Sequence, residues 1–130
     1  MWFGDNEFYF TCTNGGKIKK GQIFRYKLGM HEAIDGGTLS LFYETNNAET
    51  LKYCDNMTIA PWGDLFVCED DDHPFIVGVT PQGELYRFAE NVGYESEFGG
   101  VSFSPSGKTM FVNIQQPGLT LAVTGPFSKK

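Results

Sequence analysis

The sequence predicts an all-β fold, about two and a half blades of a β-propeller that form the incomplete C-terminal part of one. Three observations carry that prediction. Short β-rich runs recur about every 8–12 residues. The composition suits strands and tight turns, with 12 Phe, 6 Tyr and 2 Trp beside 16 Gly and 6 Pro, and no long run of helix formers. A turn sequence is also repeated. Ile59-Ala60-Pro61-Trp62-Gly63-Asp64-Leu65-Phe66-Val67 matches Phe103-Ser104-Pro105-Ser106-Gly107-Lys108-Thr109-Met110-Phe111-Val112, with one residue inserted after the glycine. Pro61 and Pro105 stand 44 positions apart, and four-stranded propeller blades repeat at roughly 40–50 residues.

The elements follow in order. Phe8–Thr13 is a β-rich run reached through Gly4-Asp5-Asn6, and Gln22–Leu28 alternates apolar and polar side chains as a half-buried strand does. Thr38–Glu44 follows the Gly36-Gly37 turn, and His31–Ile34 is too short to count as a helix. Met57–Ala60, Leu65–Cys68, Phe75–Val79 and Glu84–Phe88 make a second set. Val101–Ser104, Thr109–Ile114 and Leu119–Val123 make a third. In the repeated turns proline presets φ and glycine takes the positive-φ position, and Thr80-Pro81-Gln82-Gly83 is a related turn further out.

Residues 8–44 thus give three strands, 57–88 four and 101–123 three. We read residues 1–130 as a single partial propeller domain with blades near 1–50, 51–95 and 96–127. Closed propellers need about four to eight blades, so the expectation is a piece of a larger propeller, or a chain that needs a partner to cover its strand edges.

The formal net charge is −6, from 16 acidic and 10 basic residues. The one basic cluster, Lys17, Lys19 and Lys20, lies in a Gly-rich loop, so a nucleic-acid interface is not expected. The 3 cysteines, Cys12, Cys54 and Cys68, have no metal-finger spacing and lie in or beside apolar runs, where buried free thiols are expected. No apolar run is long enough to form a transmembrane segment, and the N-terminal residues do not read as a signal peptide.

Candidate chemistry lies where inner strands begin, because side chains from different blades converge there. Asp55-Asn56 precedes Met57–Ala60, and Glu97 precedes Val101–Ser104. Carboxylates and an Asn carbonyl suit a hard cation such as calcium, although Asp-Asn also makes a plain turn. Glu69 and Asp70 follow the apolar run Leu65–Cys68, where a cation could offset the desolvation of charge. Asp71 and Asp72 read as a solvated loop, and His73 as an ordinary loop histidine. Asn113 and Gln115 alternate outward on one strand face and could bind an oxyanion or hold the turn before Pro117-Gly118. The Gly-x-Ser-x-Gly elbow, the phosphate-binding glycine loop and His-Glu-x-x-His are all absent.

Several stretches resemble the PhoX-type alkaline phosphatase family. They are Trp2-Phe3-Gly4-Asp5 with Tyr9-Phe10-Thr11 and Thr13-Asn14-Gly15-Gly16, Gly21–Tyr26, Asp55-Asn56-Met57 through Pro61-Trp62-Gly63-Asp64-Leu65 to Cys68-Glu69-Asp70, Gly83–Ala89, and the closing Phe103-Ser104-Pro105 to Thr124-Gly125-Pro126. The similarity runs in order along nearly the whole chain. Ser106, where the family has Asp, and Phe127, where it has Trp, are departures that touch turns and packing.

The resemblance implies an exported, periplasmic or secreted, metal-dependent phosphomonoesterase with a calcium and iron cluster in the propeller channel. Asp55, Glu69 and Glu97 are then the candidate metal donors, with Asn56, Asp70 and Asn113 as weaker ones. The family's Arg and Glu-Gly and its iron-binding Cys precede the segment that Trp2-Phe3 begins, so the chain alone is expected to be inactive. Two alternatives stand beside this reading. One is a gluconolactonase-type propeller hydrolase with a single calcium; the other is a non-enzymatic propeller binding module.

Overall fold

The computed structural model describes residues 1–127. Three antiparallel sheets follow one another along the chain. The first holds β1 (Trp2–Gly4), β2 (Glu7–Cys12), β3 (Gln22–Leu28) and β4 (Gly37–Glu44), with the one-turn helix α1 (Glu32–Asp35) between the last two. The second holds β5 (Cys54–Ile59), β6 (Leu65–Glu69), β7 (Phe75–Val79) and β8 (Leu85–Glu90). The third holds β9 (Phe98–Phe103), β10 (Thr109–Ile114) and β11 (Leu119–Thr124). Each sheet pairs its strands in chain order and stays open, as partial propeller blades do.

The first sheet has four strands, where three were expected. The extra one, β1, is only three residues long and pairs Trp2 with Tyr9 and Phe3 with Phe8. Its turn is Asp5-Asn6, both at positive φ (52° and 63°), the backbone that a two-residue hairpin matched to strand twist requires. Three residues are too few for an alternating pattern to show in sequence.

The repeated turns are where the repeat put them. Gly63, Gly83 and Gly107 take φ of 99°, 84° and 68°. Each donates its N–H to the carbonyl three residues back, on Ala60, Thr80 and Ser104 respectively. These turns join β5 to β6, β7 to β8 and β9 to β10.

The sheets stack in order, with β5 lying between β2 on one side and β9 on the other. The middle sheet is therefore covered on both faces, which is why all five residues of β6 are buried. Alternate side chains along β6 serve different cores. Leu65 and Val67 join Ile23, Met57 and Val79 against the first sheet. Phe66 and Cys68 join Val101, Met110 and Val112 against the third. Phe66 is fully buried, with ring centroids of Phe88 at 4.9 Å, Phe103 at 5.4 Å and Trp62 at 5.5 Å. Burying such a ring contributes about 1.5–3 kcal/mol. The outer faces of the first and third sheets carry exposed apolar side chains, among them Leu39, Leu41 and Phe111.

Candidate functional site

The expected turn before the inner strand of the second sheet is itself strand. Pairing runs back to Cys54 opposite Glu69, and the register shifts before Met57 meets Val67. Asp55 and Asn56 form this bulge, facing Cys68 alone, and bulges re-aim side chains. Main-chain and side-chain bonds fix them. Thr11 Oγ1 donates to the Asp55 carbonyl at 2.7 Å, and Asn56 Nδ2 donates to Asp55 Oδ2 at 2.8 Å. A similar shift in the third sheet lies between Phe111 and Asn113, where Gly100 and Val101 of β9 face Val112 of β10 and Gly100 takes φ of 62°.

Glu97 immediately precedes β9, and its carbonyl accepts the Gln115 N–H at 3.1 Å. Asp70 immediately follows β6, held by its N–H to the Tyr53 carbonyl at 2.9 Å. The middle and third sheets thereby set Asp70 and Asp55 each near Glu97, on two adjoining depressions. Partial burial raises the Glu97 pKa above its ordinary 4.5. The charge of Asp70, a hydrogen bond between the two carboxyl groups and the charge of Asp55 raise it further, while a hydrogen bond from Gln115 opposes them.

Two open depressions meet at Glu97 and Gln115. One, of about 290 Å³, is lined by Asp55, Asn56, Glu97, Gly99, Asn113 and Gln115. The other, of about 420 Å³, is lined by Asp70, Asp71, Asp72, Glu95, Glu97 and Gln115, with Ser96 and Gln116 between. Gln115 was expected on the strand face beside Asn113. It lies in the turn just past β10, which is how it reaches both depressions.

The other candidates are already engaged. Glu69 is 2% exposed, accepts the Lys52 N–H at Oε1 (2.8 Å) and the Phe75 N–H at Oε2 (2.9 Å), and lines neither depression. Asn113 donates to the Gly99 carbonyl at 3.1 Å and accepts the Thr120 hydroxyl at 2.7 Å. Its amide lines the first depression while bracing β9, β10 and β11.

This donor set does not by itself meet the needs of a calcium and iron cluster. Among the described residues no three His, Cys, Asp or Glu side chains are grouped closely enough to hold a metal ion. Calcium takes about 6–8 oxygen ligands. Cys54 and Cys68 are buried, and that burial pushes their thiols up to about 12. All three cysteines are free.

Among the described residues no helix is long and apolar enough to cross a membrane. No curated protein and no solved structure matches the chain. A family model, alkaline phosphatase PhoX, matches residues 1–118, and the chain therefore belongs to the PhoX alkaline phosphatase family.

Proposed function

We propose that the chain supplies one wall of a metal-dependent phosphomonoesterase site, centred on Asp55, Asp70 and Glu97. The observation that carries the proposal is the convergence of these carboxyl groups from two adjacent sheets, with the proton affinity of Glu97 raised by burial and by the other two. Carboxylates crowded in this way repel one another until a proton or a cation neutralises them. Family membership supplies the reaction class, hydrolysis of a phosphate monoester. Calcium and iron, and an exported location, belong to the same reading.

In this reading the remaining ligands come from residues outside the chain, and the 130-residue chain does not turn over substrate alone. The test is hydrolysis of p-nitrophenyl phosphate by the pure chain with calcium and ferric iron supplied. The expected rate is that of buffer. Steady turnover abolished by Glu97→Gln would show a complete site on this chain and overturn the division of labour. Turnover that Asp55→Ala and Glu97→Gln leave untouched would overturn the site itself.

A further inference from the structure

A second cavity lies at the other end of β6. Asp64 precedes that strand and Asp70 follows it, so the two ends are about 20 Å apart at ~3.3 Å per strand residue. The cavity measures about 330 Å³, and Trp62, Phe66, Tyr86, Phe88 and Phe127 wall it around Asp64.

The sequence builds this chamber step by step. Gly78 on β7 stands opposite Tyr86 on β8. With no Cβ there, the Tyr86 ring lies across the strand, and its hydroxyl reaches Asp64 Oδ2 at 2.7 Å. The Trp62 indole N–H reaches the same oxygen at 2.9 Å. Asp64 is only 8% exposed, and both of these donors are neutral. Among the described residues the ion pairs are Arg25–Glu7 and Lys52–Asp71, so none of them neutralises Asp64. A buried carboxylate without a cation is costly, and aromatic faces around it attract positive charge.

We propose that this chamber binds a small organic cation, an alkylated ammonium group that sits among the rings with its charge toward Asp64. The alternatives fit less well. A metal ion needs several oxygen ligands, whereas this cavity offers one carboxylate and carbon-rich walls. A neutral apolar guest would strip water from Asp64 and return no charge to it. The volume lies at the small end of ligand pockets, the right scale for a trimethylammonium head.

The test uses the 130-residue chain, choline chloride, and 3,3-dimethyl-1-butanol, which has nearly the same shape and no charge. Calorimetry gives the affinity, and the Trp62 indole N–H resonance reports the location. Saturable choline binding that moves this resonance is expected, with the neutral analogue about tenfold weaker or worse. Asp64→Asn keeps an acceptor for Trp62 and is expected to weaken choline by a similar factor. Equal affinity for the two probes, no saturable choline binding, or binding that leaves the Trp62 resonance in place would each overturn the proposal. The two-probe comparison needs only the wild-type chain, so it decides the matter even if Asp64→Asn fails to fold. The phosphomonoesterase reading is independent of the outcome.

Discussion

The Tyr86 hydroxyl donates a 2.7 Å hydrogen bond to Asp64 Oδ2, tying β8 to the turn that opens β6. Burial raises the pKa of the phenol above its ordinary 10.0, and the hydrogen bond to Asp64 raises it further. Tyr86→Phe keeps the ring over Gly78 and removes the hydroxyl, and with it the bonds to Asp64 and to the Trp62 side chain. A hydrogen bond to a charged group contributes about 1.5–3 kcal/mol, and this partly exposed one belongs at the lower end. Urea melts at pH 7 are expected to show that loss. In the wild type the raised pKa makes folded stability decline as pH climbs past 10, because the unfolded phenol gives up its proton first. The variant is expected to lack this contribution to the decline.

Gly78 gives a sharper test of the same relationship. A Cβ built there would stand 2.1 Å from the Tyr86 ring, closer than atoms can approach. The ring would have to leave, taking its hydroxyl away from Asp64. Overpacking of this kind costs about 1–3 kcal/mol. Gly78→Ala is therefore expected to lower the melting temperature and to shift the Trp62 indole resonance. Unchanged values of both would show that the ring has another place to lie.

The strand pattern was legible because alternation and turn chemistry are local. Gln22–Leu28, Phe75–Val79 and Thr109–Ile114 have the bounds that periodicity assigns them. Asp55 and Asn56 were legible as candidates but not as a bulge, since a register shift depends on the partner strand. The association of Asp70 with Glu97 joins residues from two sheets, and no spacing rule connects them. Glu69 shows the opposite limit. Its neighbour Asp70 turns outward, whereas strand parity sends Glu69 inward to two main-chain amides. Asp64 read simply as part of a turn, because the partners that surround it lie along β6, β8 and the Val123–Phe127 segment.

Glu69 is accordingly expected to matter for folding before any metal is present. Glu69→Ala leaves the Lys52 and Phe75 amides without their acceptor, at about 1–3 kcal/mol for each buried donor. Glu69→Gln turns an amide donor toward one of them and costs about as much as losing one. Chemical denaturation in EDTA is the measurement. A Glu69→Ala chain as stable as wild type in chelator would show that the carboxylate has no such structural role.

Thr58 offers a gain of stability. It is fully buried on β5, and its hydroxyl has no hydrogen-bond partner among the described residues. Valine has the same shape and a methyl in place of the hydroxyl. Thr58→Val is expected to be neutral or to stabilise by about 1 kcal/mol. A clear loss in thermal melts would reveal a partner for that oxygen in solution.

Glu97 links charge to stability at the proposed site. In the folded chain it holds its proton more tightly than at its ordinary 4.5, through burial and then through Asp70 and Asp55. Folding therefore takes up protons as pH rises through 4.5, so this contribution is complete below that value and is lost as pH passes the raised one. Glu97→Gln carries no charge and escapes the loss. The two chains are expected to match near pH 4, with the variant the more stable at pH 7 in EDTA. Because the carboxyl groups border open depressions, the gain is a few tenths to about 1 kcal/mol. Millimolar calcium should narrow the gap, since a cation on Asp70 and Glu97 relieves in the wild type the repulsion that the variant has already lost. A gap that calcium leaves unchanged would mean that these carboxylates do not meet a cation on this chain.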